Sequence, residues 1–161
     1  MSHTVTVTRT TTSTTTSAII LNTGYCKTAP GLLKIAEVLL GLALFILITV
    51  YSDEFRLFFH SSITSHLYLY LVSFACFFGS FCLLAACLFS LGTSSIIAKT
   101  LFEFIFHGIA FLLYLATLIL YFVQGRRNDE HPYATAGILG VVLSLLYLAS
   151  TILAYRSYRG V

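Results

Sequence analysis

The chain has 161 residues, of which 58% are hydrophobic and 9% are charged, and its formal net charge is +3. Its mean hydropathy is +0.92. A soluble domain of this length cannot bury so much apolar surface, so the composition excludes a soluble globular protein and leaves no room for a soluble catalytic domain.

Four apolar stretches are each long enough to cross a membrane, since a hydrocarbon core of about 30 Å requires about 20 residues of helix. Their sequences are continuously apolar and lack the strict alternation of transmembrane β-strands, which predicts helices. The predicted fold class is therefore an all-α membrane protein, a bundle of four transmembrane helices. The predicted spans are 31–51, 67–91, 101–123 and 134–155.

The segment that precedes the first span, residues 1–27, is rich in threonine and serine and offers little apolar surface to bury. It is predicted to be a disordered cytoplasmic tail. Cys26 lies a few residues before the first span, a position that suits reversible palmitoylation. A free thiol without a role is the alternative.

The lysine and arginine residues are distributed unevenly between the two ends of the predicted helices, and cytoplasmic ends carry the excess in membrane proteins. This bias predicts that both termini are cytoplasmic. One side has Arg9, Lys27, Lys34, Lys99, Arg156 and Arg159, whereas the other has Arg56, Arg126 and Arg127.

Four ionisable residues lie inside the predicted spans near the cytoplasmic end: Lys34 and Glu37 in the first, and Glu103 and His107 in the third. Ionisable groups in a membrane are normally paired or functional. We predict an ion pair between Lys34 and Glu103, with His107 either donating to Glu37 or assisting Glu103. The cluster is interpreted as structural, and the alternatives are a proton or ion pathway and a metal site.

A metal site requires three or four ligands, and a proton path requires titratable groups across the whole membrane. The outer halves of the predicted helices carry none, which favours a structural cluster. No metal and no cofactor are expected. The sequence also lacks a phosphate-binding loop, a zinc-ligand pattern and a nucleophile elbow, so we expect neither an enzyme nor catalytic residues.

Small residues at helical spacing predict the faces on which the helices pack, since they let backbones approach closely in lipid. The third helix carries a stripe of polar and small residues that begins at Glu103 and His107 and ends at Tyr121. The predicted packing seams of the second and fourth helices are Ala75, Gly79, Cys82 and Ala86, and Ala136, Gly140 and Ser144.

Three quoted segments carry a resemblance to a known family. They are "PGLLKIAEVLLGLALFI" in the first span, "KTLFEFIFHGIAFLLYLATLIL" in the third and "AGILGVVLSLLYLASTILAYRSYRG" in the fourth. With the span count and short loops, they make the chain resemble the MARVEL-domain tetraspan family of the myelin-and-lymphocyte, plasmolipin and chemokine-like-factor groups. The resemblance covers a four-helix domain at 28–156, followed by a short basic cytoplasmic tail at 157–161.

The resemblance implies a non-enzymatic organiser of membranes that acts in membrane apposition, vesicle trafficking, cell-junction assembly or cell fusion. It implies a location at the plasma membrane, cell contacts and vesicles. The expected partners are membrane lipids and lateral membrane proteins or further copies of the chain, and no nucleic acid. The alternative is a small ion- or proton-coupled transporter or channel that uses Lys34, Glu37, Glu103 and His107.

Overall fold

The computed structural model describes residues 22–51, 64–97, 99–125 and 131–160, and the predicted tail before residue 22 lies outside them. Every regular element in these ranges is helical, in the order of a short 3-10 turn and five α-helices. The turn is Tyr25–Lys27, and the helices are α1 Ala29–Tyr51, α2 Thr64–Phe89, α3 Leu91–Ile97, α4 Leu101–Gly125 and α5 His131–Arg159.

Four of the helices are long and apolar enough to cross a membrane: Ala29–Val50, Leu67–Phe89, Leu101–Val123 and Ala134–Arg159. The predicted fold class, a bundle of four transmembrane helices, is confirmed. In the bundle α1 packs against α2, α2 against α4, α4 against α5, and α5 returns against α1. The centre is filled by fully buried side chains, among them Leu44, Leu69, Tyr114, Leu143 and Tyr147.

The start of α1 follows from its first residues. Thr28 has extended backbone angles, and its hydroxyl accepts a hydrogen bond from the Gly31 amide at 3.2 Å, so it acts as the N-cap. Pro30 follows in the first turn, where its missing amide hydrogen leaves no helical bond unmade. The Thr28 cap and Pro30 therefore set the start of the helix where the apolar run begins.

The buried faces of α4 and α5 are those that the sequence pattern predicts. In α4, the stripe from Glu103 to Tyr121 is buried at each of its predicted positions. In α5, Ala136, Gly140 and Ser144 are all buried. A Cβ atom at Gly140 would lie 2.9 Å from the side chain of Leu118, so this glycine allows α4 and α5 to approach closely.

The predicted seam of α2 is wrong for two of its four residues. Ala75 and Cys82 are exposed on the outside of the bundle, while Gly79 and Ala86 are half-buried. The small residues of α2 occupy two adjacent faces, and the face that turns inward is the one with serine hydroxyls, which find no hydrogen-bond partner in lipid. The buried positions are Leu69, Ser73, Cys76, Ser80, Leu83 and Cys87.

This orientation of α2 can be tested with one matched pair of substitutions. Cys82→Leu is expected to change the free energy of unfolding by less than about 0.5 kcal/mol, because the residue faces outward. Cys76→Leu is expected to destabilise by about 1 kcal/mol or more, because Cys76 is 4% exposed and extra methylenes overfill a packed core. Unfolding in detergent micelles measures both, and equal effects would contradict this orientation.

The connection between the second and third spans contains a helix where the sequence predicts only a turn. α2 ends at Phe89, short of the predicted boundary at residue 91, because Ser90 caps a new helix. The Ser90 hydroxyl accepts a hydrogen bond from the Thr93 amide at 3.2 Å. The resulting seven-residue helix, α3, holds Ser94 near the start of the first span.

The predicted tail boundaries are also displaced. Residues 22–27, assigned to the disordered tail, fold against the bundle. The backbone amide of Asn22 donates to the Leu88 carbonyl at 2.8 Å, and its side-chain amide donates to the Ser94 hydroxyl at 3.4 Å. At the other end, α5 continues to Arg159, beyond the predicted end of the fourth span at residue 155 and of the domain at residue 156.

Candidate functional site

The candidate site is a buried polar cluster at the end of the bundle where α1 and α4 begin and α5 ends. Lys34, on α1, is 2% exposed, and its Nζ donates to Glu103 Oε1 on α4 and to the Tyr25 hydroxyl at 2.9 Å. Glu103 is also buried, at 6% exposed. Because removing either charge from water is unfavourable by several kcal/mol, each group depends on the other.

Tyr25 reaches this cluster from the 3-10 turn, outside the membrane-spanning segments. Burial raises the pKa of its hydroxyl to about 12, so the group stays protonated at neutral pH. Its oxygen accepts the second hydrogen bond of the Lys34 ammonium group. The turn is therefore held against α1 by the same lysine that pairs with Glu103.

Glu37 forms the second part of the cluster. It is fully buried, and its two oxygens accept hydrogen bonds from Ser150 on α5 and from Ser80 on α2, the latter at 3.0 Å. Ser80 donates its only hydroxyl proton to Glu37, so Tyr147, whose hydroxyl lies 3.0 Å from Ser80 Oγ, must be the donor in that contact. Glu37 thus connects α1 to both of its neighbours.

His107 lies between the Lys34–Glu103 pair and Glu37, but its Nδ1 forms no hydrogen bond with either. This atom is 4.0 Å from Glu37 Oε2, too far for a hydrogen bond, and it has no hydrogen-bond partner among the described residues. The ring packs near Phe106 and Tyr147, with ring centroids 5.2 and 5.9 Å away. The four predicted cluster residues are therefore brought together, but neither predicted hydrogen bond of His107 is formed by Nδ1.

A second buried polar atom without a partner in the described part of the chain lies deeper in the bundle. It is the hydroxyl of Tyr114, whose ring stacks on Tyr147 at 5.5 Å between centroids. Buried polar atoms of this kind are often satisfied by ordered water. His107 Nδ1 and the Tyr114 hydroxyl therefore retain hydrogen-bonding capacity that the described residues do not use.

A cavity of about 50 Å³ opens beside the Lys34–Glu103 pair, large enough to hold several water molecules. Its lining combines polar groups with an apolar wall contributed by α1 and α5. The lining residues are Tyr25, Pro30, Leu33, Lys34, Ser94, Glu103, His107, Ser150, Leu153, Ala154 and Ser157.

Sequence reasoning missed the hydroxyl partners Tyr25, Ser80 and Ser150. A usable signal was present for the two serines, since a hydroxyl inside a membrane span needs a partner and the two glutamates are the strongest acceptors available. Tyr25 carries no such signal, because tyrosine is common at the ends of spans for interfacial reasons.

Two further predicted features can be located but are not tested by the geometry. Cys26 is a free thiol, half-buried in the 3-10 turn, and its acylation remains a prediction. Within the described ranges, no group of three or more histidine, cysteine, aspartate or glutamate side chains is placed to hold a metal ion.

The chain is similar to known proteins over most of its length. The model of the MARVEL membrane-associating domain matches residues 25–153, a range that contains Tyr25 and all four predicted cluster residues. Plasmolipin of Danio rerio is 32% identical over 140 residues, which represent 85% of this chain and 76% of plasmolipin. No solved structure matches the chain.

Proposed function

This chain belongs to the MARVEL family of membrane-associating domains, as the resemblance predicted, and we propose that it is a non-enzymatic membrane organiser. It acts in membrane apposition, vesicle trafficking, cell-junction assembly or cell fusion. The observation that carries the proposal is that the charged groups inside the membrane pair with, or accept hydrogen bonds from, other helices of the same bundle. Lys34 pairs with Glu103, and both oxygens of Glu37 accept hydrogen bonds from neighbouring helices.

The outer surface of the bundle supports action by lateral contact. Large apolar side chains are exposed on all four spans, for example Leu39, Phe78, Leu112 and Leu145. Such a surface suits lipids, neighbouring membrane helices or further copies of the chain as partners. The basic residues at the cluster end support a cytoplasmic position for both termini. Membership of the family supports a location at the plasma membrane, cell contacts and vesicles.

A small transporter or channel is the second candidate, and one observation favours it. The cavity reaches His107, whose Nδ1 has no partner in the described residues, so polar groups are available at one end of the bundle. Towards the other end Leu44, Leu69 and Leu143 are fully buried, and the buried hydroxyls of Ser73 and Thr117 donate to carbonyl oxygens of their own helices. A continuous polar path would have to pass these residues, which favours the organiser.

Glu103→Gln separates the two functions when tagged protein is imaged in cultured epithelial cells. An organiser built around the cluster is expected to concentrate at cell contacts or on carrier vesicles, and the variant is expected to be retained or degraded because its ion pair is broken. Phe102→Leu is the matched control, since Phe102 is the neighbouring α4 residue and is 57% exposed. Its distribution and abundance should equal those of the unmodified chain.

The opposite pattern would contradict the organiser. Uniform distribution of the unmodified chain, together with Glu103→Gln protein of normal abundance that loses an ion flux, would support the transporter instead. Ion-flux recordings on the two variants provide that second readout.

A further inference from the structure

The described basic residues all lie at one end of the bundle. Lys27 precedes α1 and Lys34 lies in its first turns, Lys99 precedes α4, and Arg156 and Arg159 are at the end of α5. These helix ends meet, since α1 and α4 are joined by the Lys34–Glu103 pair and α5 shares the cavity with both. Except for Lys34, these side chains are exposed.

The negative charge in the described ranges is buried. It consists of Glu37 and Glu103, which are 0% and 6% exposed, and Glu103 is already paired with Lys34. The exposed surface of this end, as far as the structure describes it, therefore presents cations without facing carboxylates. A surface of this kind attracts anionic lipid headgroups.

The exposed cations lie close in sequence to the lining of the cavity. Lys27 is two residues from Tyr25, Lys99 is four residues from Glu103, and Arg156 and Arg159 stand on either side of Ser157. Tyr25, Glu103 and Ser157 all line the cavity. The cavity is therefore a polar recess at the end of the bundle that carries the exposed cations.

The cavity itself is suited to uncharged polar atoms at the depth of lipid headgroups. The Lys34–Glu103 pair in its wall is neutral overall, and the hydroxyls of Tyr25 and Ser157 are further lining groups. His107 adds a buried Nδ1 that has no partner in the described residues. The remaining wall is apolar, from Pro30, Leu33, Leu153 and Ala154, as suits the part of a lipid next to its headgroup.

We propose that this recess binds the headgroup of an anionic phospholipid, with its phosphate on the cations around Ser157 and its polar substituent in the cavity. The site goes beyond the organiser function, because it requires only the membrane-spanning fold and the geometry of this end. A lipid is the occupant, and not a soluble phosphate, because the recess begins beside the first residues of α1 and α4 and has an apolar wall.

The test uses the full chain in nanodiscs of phosphatidylcholine with or without a minor fraction of phosphatidylinositol or phosphatidylglycerol, whose polar substituents are uncharged. Lipids retained after mild release into detergent are identified by native mass spectrometry. We expect about tenfold enrichment of an anionic lipid over its share in the bilayer, which corresponds to about 1.4 kcal/mol. Equal retention of anionic lipid and phosphatidylcholine would overturn the proposal. Displacement of the lipid by inorganic phosphate would also overturn it, since that indicates a site for free anions.

Two variants separate a site from a diffuse surface charge. Arg156→Gln with Arg159→Gln removes cations, and Ser157→Trp obstructs the cavity without changing any charge; both should abolish the enrichment. Ser95→Trp is the matched control, because Ser95 is exposed on α3 and does not line the cavity. It should keep the enrichment.

Loss of enrichment in the arginine variant but not in Ser157→Trp would show attraction to surface charge alone and would overturn the proposal. Equal loss in Ser95→Trp would overturn it too. All the substituted residues are exposed, so unfolding temperatures equal to that of the unmodified chain are expected, and they verify that the fold is intact.

Discussion

Replacing Lys34 with methionine is expected to lower the free energy of unfolding of the bundle by about 3–5 kcal/mol. Methionine retains most of the length of the lysine side chain but removes the ammonium group. Glu103, which is 6% exposed, would then keep a buried charge without its partner. The Tyr25 hydroxyl would also lose its hydrogen-bond donor.

A double-mutant cycle tests whether the loss comes from the unpaired carboxylate. Adding Glu103→Gln to Lys34→Met is expected to recover most of the stability, because the remaining groups are neutral. Lys99→Met is the matched control, since Lys99 is exposed at the same end, and it should have little effect. Glu103→Gln alone completes the cycle, and reversible unfolding in detergent micelles, followed by circular dichroism, measures all four variants. If Lys34→Met and Lys99→Met are equally stable, the ion pair does not stabilise the bundle.

Much of this cluster could be predicted because a membrane restricts where charge can lie. Four apolar runs of span length permit hardly any fold other than a helical bundle. Once Glu103 and His107 must face inward, the 3.6-residue period places Ala110 and Tyr114 on the same buried face. The same constraint brings Lys34 and Glu103 to one depth, and the structure places them in contact.

The remainder depended on information that periodicity does not contain. In α2, two adjacent faces carry small residues, so the choice between Cys76 and Cys82 required knowing that Ser80 must reach Glu37. Small residues permit close approach on either face, whereas a hydroxyl needs a particular partner. The position of His107 Nδ1, 4.0 Å from Glu37 Oε2, depends on ring packing and follows from no sequence rule.

The folding of residues 22–27 against the bundle could not be predicted from the sequence. It nevertheless leads to the second large effect on stability, which is expected from a substitution at Gly31. Gly31 is buried in the first turn of α1, where a Cβ atom would lie 2.0 Å from the Tyr25 carbonyl oxygen and 3.1 Å from Thr28 Oγ1. The Tyr25 carbonyl belongs to the backbone, so it cannot rotate away as a side chain can. The whole 3-10 turn would have to move.

Gly31→Ala is therefore expected to destabilise the protein by about 3 kcal/mol, at the upper end of the range for overpacking. Displacement of the turn would withdraw the Tyr25 hydroxyl from Lys34 and disturb the cap that Thr28 provides. Gly108→Ala is the matched control, because the nearest atom to its Cβ would be Thr151 Cγ2 at 3.8 Å, an ordinary contact. Alanine favours helix over glycine, so the control should be at least as stable as the unmodified chain.

Trypsin cleavage after Lys27 reports on the turn separately from global unfolding. Lys27 is exposed, but a protease needs the surrounding backbone to open, so cleavage follows the population of the displaced turn. Each 1.4 kcal/mol of lost docking energy should accelerate cleavage about tenfold in Gly31→Ala, while Gly108→Ala should be cleaved at the original rate. Equal cleavage rates in both variants would mean that the turn is not held against α1, and that Lys34 and Glu103 stabilise the bundle without Tyr25.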